Sequence, residues 1–490
     1  MIGIVGGGLA GLAAAYRLQQ RGYEVTVYEA GGPEALGGLA RTYETSGDDI
    51  EQFYHHLSKN ERTIVELAEE IGVGDSVEWR VGENAYYVDG TVHPMDTPWQ
   101  LLAFPYWSLY DTFRLGMLTL DVDVRGGVPS FDTYERLEDF EDQTAVEFAR
   151  EHTTENVYET FFDPLLEAKF GSRKADVSAA WLLGRIKFRG ERDLLRGEIL
   201  GYFEGGFRTF LDALIDAVGR ENVETHARVT DLATDDGAVD SITVERATEP
   251  VAADGGASAA DGSGVDTDAT DTGAVDTGAA GSGGPDARST GSGGPPATET
   301  VTESVDDLVV ATMPNVLESL TGYPCEVDFQ ASVCAVVTLS EGLTDTYWLN
   351  VADDAPFGAL IEHTNFVPPE RYGGDHLLYL ASYVQDESAW LWQADDDEVE
   401  ERWLAGVEDL FPSFDRASVE SFQLARAPRA APIYECGYLD LVVPYDLGDE
   451  VAEGLYYAGM ASEAQYPERS TNGAVLAGYE CADLIDERRE

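Results

Sequence analysis

The sequence predicts an α/β fold, and three features of its first thirty residues carry that expectation. A short apolar strand, Ile2 to Val5, runs into a turn with glycines at 6, 8 and 11. An alanine-rich helix follows, and a second strand, Glu24 to Tyr28, ends on an acid, Glu29. Together they read as a Rossmann-like βαβ unit that binds a dinucleotide. Gly6 allows the tight turn, Gly8 lets backbone approach a pyrophosphate, and Gly11 permits close packing of helix on strand. The helix N-terminus then faces the phosphates with free N–H groups. Gly22 suits the helix C-cap. Glu29, eighteen residues past Gly11, stands where a carboxylate accepts ribose hydroxyls. An acid there disfavours a 2′-phosphate, so FAD or NAD is expected rather than NADP.

Eight residues after Glu29 comes Gly37-Gly38-Leu39-Ala40-Arg41. Paired glycines let backbone pass close to a second phosphate region, and the guanidinium neutralises its charge. Further along, helices are expected over Glu61 to Ile71 and Phe207 to Val218, and a strand over Val223 to Leu232. Apolar β-branched strands beside the nucleotide unit suggest a mostly parallel sheet, with antiparallel strands building a second, mixed α+β domain. No internal repeat is visible. Residues 247 to 300 contain no Leu, Ile, Phe, Tyr, Trp or Lys. Such a stretch buries too little apolar surface to offset its ordering entropy, and is expected to be a disordered acidic Ala/Gly/Asp/Thr-rich insertion. Strand-like runs flank it, Ser241 to Arg246 and Glu299 to Val305, so it is placed at the tip of a β-hairpin.

With 490 residues and 43% hydrophobic content, the chain is long enough for two or three domains. Acidic residues number 92 against 31 basic, a formal net charge of −61, which argues against nucleic acid as a partner and against binding anionic lipid. Lysine occurs only at Lys59, Lys169, Lys174 and Lys187. A diffuse acid excess with so little lysine matches the composition of halophilic proteins, whereas an acidic interaction tail would gather its acids in one block. Cys325, Cys334, Cys436 and Cys481 form no CxxC and no metal-ligand cluster, so no metal site is expected. They read as reduced, mostly buried thiols of a cytoplasmic protein. The first strand begins at Ile2, so no signal peptide is expected before it. The most apolar stretch, Trp99 to Leu120, is interrupted by Asp111 and Arg114, which opposes a spanning helix. Shallow membrane contact by an amphipathic segment stays open.

The glycine turn, Glu29 and Gly37 to Arg41 together resemble the FAD-dependent amine oxidase and protoporphyrinogen oxidase superfamily, which is also similar to UDP-galactopyranose mutase. Further stretches carry the resemblance over most of the chain: Phe161 to Leu166 with Lys169-Phe170-Gly171, Gly201 to Phe207, Asp307 to Pro314, and Ala431 to Tyr434 with Gly437-Tyr438. Leu455 to Gly459 and Asn472-Gly473-Ala474 complete it. The resemblance implies FAD as cofactor and a small organic molecule as substrate. It assigns Gly6, Gly8 and Gly11 to the pyrophosphate, Glu29 to the adenosine ribose, Gly37, Gly38, Leu39, Ala40 and Arg41 to the phosphate region, and the backbone of Val229 to adenine. Gly459, Met460, Asn472, Gly473 and Ala474 would lie against the ribityl chain and the flavin pyrimidine. Family members usually carry an acid where this chain has Met460.

For the substrate side, Tyr54-His55-His56 falls where such a fold brings chain beside the flavin, so either histidine is a candidate for handling a proton. Lys169 is a candidate charge anchor, and Tyr434, Tyr438 and Tyr466 are candidate flavin-facing rings. There is no second GxGxxG and no CxxC, so electrons are expected to come from the organic substrate. An FAD domain is expected from 1–75, 200–246, 301–314 and 440–490, and a substrate domain from 76–199 and 315–439. Two alternatives remain. A mutase-like sugar isomerase would need arginines for a nucleotide-sugar pyrophosphate, with Arg185, Arg189 and Arg192 as candidates. A non-catalytic relative such as the guanine nucleotide dissociation inhibitors would lack flavin.

Overall fold

A computed structural model describes residues 1–119, 134–188, 192–193, 196–247 and 298–490. A five-stranded parallel sheet takes its strands from distant parts of the chain, in the spatial order Val223–Glu224, Val25–Tyr28, Ile2–Val5, Asp307–Val310, Leu455–Tyr457. Ile2–Val5 and Asp307–Val310 are buried at every position, as a parallel strand covered on both faces requires. The first helix, Leu9–Gln20, packs against the closing helix, Thr471–Arg489. The two approach closely at Gly478, where a Cβ would meet the Ala10 carbonyl and the Ala14 amide. Three neighbouring strands, ending at Val5, Val310 and Tyr457, release their chains at the same edge of the sheet. That is where α/β sheets hold ligands.

A seven-stranded sheet follows the order Val419–Pro432, Phe329–Leu339, His376–Val384, Ala359–Glu362, Trp348–Val351, Asn84–Val88, Thr91–Pro94. It is antiparallel except where Trp348–Val351 runs parallel to Asn84–Val88. Helix Asp396–Leu410, capped by Asp395, covers it with Trp403, Leu404 and Val407. Helix Asp163–Phe170 also packs on this sheet, against His376–Val384, and meets helix Ala179–Phe188 where Phe170 contacts Trp181.

The expected helices are present as Arg62–Glu70 and Phe207–Val218. The single strand expected over Val223 to Leu232 is two. Val223–Glu224 ends the parallel sheet, and Ala227–Asp235 joins a separate antiparallel sheet. The break falls at His226, whose φ is +55° and whose amide donates to the Gly31 carbonyl at 2.6 Å. Ala238–Ala247 pairs antiparallel with Thr298–Ser304, Ala247 opposite Thr298, so the hairpin flanking the insertion is formed. The insertion lies outside the described residues. Cys334 and Cys481 are buried, Cys325 is half-buried and Cys436 exposed; all four are free. The apolar stretch from Trp99 forms two short helices, Pro98–Ala103 and Leu109–Thr119, with Trp99 and Leu109 exposed. Among the described residues, no helix is long and apolar enough to cross a membrane.

Candidate functional site

A cavity of about 540 Å³ opens at the edge where the three strands end, and runs from Gly8 and Glu29 to Lys169 and Tyr383. Its first end is made of backbone. Gly6 has φ +106° and a Cβ there would lie 2.7 Å from the Ala311 carbonyl, so only glycine turns the chain this tightly. Gly8 is different: its φ of −76° suits any residue, and a Cβ would meet nothing within 4 Å. Helix Leu9–Gln20 starts here with no side-chain cap and no acid in its first turn, leaving its first N–H groups free toward the cavity. Gly37 donates to the Gly7 carbonyl at 2.9 Å and pairs with Gly8, and a Cβ at Gly38 would lie 3.4 Å from the Gly8 Cα. Arg41 lines the same end, its Nε buried without a hydrogen-bond partner. Glu29 Oε2 accepts from the Gly7 amide at 2.9 Å and Oε1 from the Gly31 amide at 2.8 Å. A concave backbone, uncapped helix donors, an unsatisfied guanidinium and an acid at the rim fit the pyrophosphate and ribose of a dinucleotide.

Gly459 and Met460 form the facing wall, together with Ala311 and Thr312. A side chain at Gly459 would run into the Thr312 carbonyl and the Tyr457 ring. The closing helix presents Thr471 and Ala474 to the cavity. Four expected residues stand elsewhere. Gly11 lies within the first helix on its inner face, where a Cβ would collide with the Gly6 carbonyl; this is the packing role expected of it. Val229 is buried in strand Ala227–Asp235 and is not among the lining residues, although Ala227 at the start of that strand donates to the Glu29 carbonyl at 2.8 Å. Asn472 turns its Oδ1 to the Ile64 amide at 3.0 Å, tying the closing helix to Arg62–Glu70. Gly473 donates to the capping Ser470 hydroxyl at 2.9 Å and packs on the Ala464 carbonyl.

The second end is made of side chains. Tyr54, His55 and His56 enter from one wall, Lys169 and Arg185 from the two helices, Tyr383 from the end of its strand, and Glu468 and Arg469 from the loop before the closing helix. Tyr54 meets Trp348 edge-on at 5.1 Å. His55 Nδ1 bonds the Phe53 carbonyl, and burial, with Arg469 nearby, lowers its pKa to about 3. It is therefore neutral at ordinary pH and cannot serve as a cationic acid. His56 Nδ1 lies 3.1 Å from the Tyr347 hydroxyl. Glu468 Oε1 pairs with Lys169 Nζ and, at 2.7 Å, with Arg185 Nη1. Burial lowers the Lys169 pKa, opposed by Glu468. Arg469 Nη2 donates to the Tyr383 hydroxyl at 3.3 Å. Burial pushes the Tyr383 phenol up, but Arg469, Lys169 and a hydrogen bond from Tyr54 outweigh it and bring it down to about 8. Burial raises Glu61, also on the lining, to about 7.

Tyr434, Tyr438 and Tyr466 do not reach the cavity. Tyr434 donates to the Gln465 carbonyl, Tyr438 stacks on Tyr466, and Tyr466 donates to Glu141, so the three form a polar-tipped core beside it. Of the alternative arginines, Arg185 lines the cavity; Arg189 and the side chain of Arg192 fall outside the described residues. Tyr383, Glu468 and Arg469 were not expected. The one signal for the last two is their place just before Ser470, a helix N-cap residue. Nothing in the sequence marks Tyr383.

The family model of flavin containing amine oxidoreductases matches residues 9–261 and 292–486. The chain is 22% identical to the mitochondrial protoporphyrinogen oxidase of Nicotiana tabacum over 275 residues, 49% of this chain and 52% of that protein. It is 30% identical to protoporphyrinogen oxidase 2 of Arabidopsis thaliana over 87 residues, 18% of this chain and 17% of that protein. The matches thus span about half the length, or less, of these relatives. Among solved structures, a protein of Exiguobacterium sp. 255-15 assigned as a protoporphyrinogen oxidase is similar at TM-score 0.69 and 15% identity, covering 99% of this chain and 98% of that one. Cyclohexylamine oxidase of Brevibacterium oxydans IH-35A gives 0.63 and 16%, covering 100% and 99%. Reduced UDP-galactopyranose mutase gives 0.65 and 16%, covering 99% and 95%. At these identities the likeness shows the fold.

Proposed function

The chain belongs to the flavin-containing amine oxidoreductase family, and from that membership we propose that its cavity holds FAD lengthwise and oxidises a small organic substrate at the Tyr54 and Tyr383 end. The observation that carries this reading is the continuity of one cavity from the Gly8 turn to Lys169 and Tyr383. Gly6, Gly8 and the free N–H groups after them take the pyrophosphate, with Arg41 adding a charge-assisted bond. Glu29, whose oxygens each keep a lone pair beyond the backbone bonds they accept, takes the ribose hydroxyls. Gly459, Met460 and the start of the closing helix face the flavin, where the helix dipole favours negative charge.

When bound, FAD takes up a hydride equivalent from a substrate C–H bond. The chain's own residues do the rest. Tyr54 and Trp348 wall the substrate end and exclude water, and the neutral His55 offers a hydrogen bond without a charge. Residues 1–75, 200–246, 301–314 and 440–490 make most of the flavin side and 76–199 with 315–439 most of the substrate side, with Tyr54, His55 and Arg469 reaching across from the first set. The absorption spectrum of the protein purified in multimolar salt tests the reading: flavin bands are expected, and an organic substrate added without oxygen bleaches them. A protein that stays colourless after incubation with FAD refutes it. Arg185 on the cavity wall favours a second reading, a mutase-like sugar isomerase, because an arginine there can meet a nucleotide-sugar pyrophosphate. Turnover of UDP-galactose only with reduced flavin would select it.

A further inference from the structure

In a chain of net charge −61, the far end of the cavity gathers three basic side chains. Lys169, Arg185 and Arg469 converge there among three carboxyl groups, Glu468, Glu198 and Glu61, the last raised to about 7 by burial and so partly protonated near neutral pH. Glu468 is shared by Lys169 and Arg185, and Glu198 accepts from Asn84 Nδ2 at 3.2 Å. Among the described residues, no carboxylate pairs with Arg469. Its one side-chain bond is to the Tyr383 hydroxyl, a weak partner at 3.3 Å, and its Nε is buried with no hydrogen-bond partner. A buried guanidinium N–H left unmatched is costly, and natural structures rarely keep one without a use. The guanidinium is a planar fork whose geometry matches a carboxylate, and the Tyr54 and Trp348 rings beside it offer an apolar wall for an organic body.

We propose that the Arg469 end of the cavity is a binding subsite for a carboxylate, so that the substrate is an organic acid rather than a free amine. This rests on the flavin reading above. An ammonium substrate would enter beside three basic groups, whereas a carboxylate satisfies Arg469 and leaves the Glu468 pairs intact. Tyr383 adds a pH dependence. It faces Arg469 from the closing loop, Lys169 from its helix and Tyr54 from the opposite wall, with Arg185 and Glu468 behind Lys169. Its ionisation places a negative charge against the same guanidinium, so carboxylate affinity falls as pH rises through about 8.

The test titrates the flavin-loaded protein, at fixed ionic strength, with benzoate, benzamide and benzylamine, probes of similar shape and different charge. Binding is read from the perturbed flavin spectrum, and FAD content from the same spectra. Benzoate is expected to bind about tenfold or more tightly than benzamide, with benzylamine weakest. Arg469→Gln removes that preference at unchanged FAD content, Arg469→Lys keeps part of it, and Tyr383→Phe flattens the pH dependence. Benzoate binding no tighter than benzamide, or a preference that survives in Arg469→Gln, overturns the proposal. So does loss of FAD from Arg469→Gln, which would assign the guanidinium to the cofactor. A wild type that takes up no flavin overturns the cofactor reading and this one with it; a flavin-loaded wild type indifferent to ligand charge overturns this one alone.

Discussion

At the Gly8 end, the cavity wall is backbone held by hydrogen bonds between neighbouring turns. At the Arg469 end, it is long side chains from four separate elements holding one another by charge. A backbone cradle recognises a shape that recurs in every dinucleotide, and its requirements are met by leaving side chains out. A side-chain end recognises one substrate, and its members can be exchanged without disturbing the turn that feeds it. The two ends should therefore respond differently to substitution: the first by losing its cofactor, the second by changing stability and ligand choice.

The largest effect is expected from Gly8→Val. The backbone there accepts any residue and a Cβ meets nothing in the protein, so the fold survives while the side chain fills the space the pyrophosphate needs. FAD binding should weaken by about a hundredfold or more, read by flavin retained through gel filtration, with the circular dichroism of the apoprotein unchanged. Full flavin occupancy in this variant would break the comparison at its root. Glu468→Gln acts at the other end. It removes the acid shared by Lys169 and Arg185, both mostly buried, and should cost about 2 kcal/mol of stability in denaturant unfolding while leaving FAD content unchanged. Loss of flavin in that variant would show that the ends are not independent. The smallest effect is expected from replacing residues 248–297 by Asn-Gly. Ala247 and Thr298 already stand opposite each other, so a two-residue turn closes the hairpin. Thermal unfolding should move by a few degrees at most, about what a shortened loop contributes.

The same contrast explains what was legible in the sequence. Gly6 and Gly11 could be read because a tight turn and a close approach of helix to turn each exclude a Cβ, and Gly8 because a ligand cradle must be left open; all three needs are written as glycine at fixed spacing. Glu29 could be read because it sits at the end of the same local unit. The closing motif was harder. Asn472 and Gly473 have the residue types expected beside a flavin, yet the first holds the Ile64 amide and the second the helix cap. A polar residue at a helix start serves its own helix as readily as a ligand. At Val229 only the surrounding strand differs from the expectation, because the turn at His226 sends Ala227–Asp235 into another sheet. Tyr383 and Arg469 meet from positions far apart in the chain, each an ordinary residue in its own segment. Only tertiary packing makes them a pair.

The parallel sheet sets Val5 beside Val310, and Val310 beside Tyr457. During synthesis, the strand carrying the glycine turn leaves the ribosome before the strands that complete its sheet, and must wait for them. The helix that closes the cavity comes later still. Pairings between segments so far apart form slowly, because the long intervening chain has to be gathered first. Cofactor capture is thereby made to wait on later segments: a nascent chain can show its phosphate turn to the solvent, but it cannot enclose a flavin until the strands and helix from Asp307 onward have joined it. An incomplete translation product would have the recognisable beginning of a flavoprotein and no means of keeping the flavin.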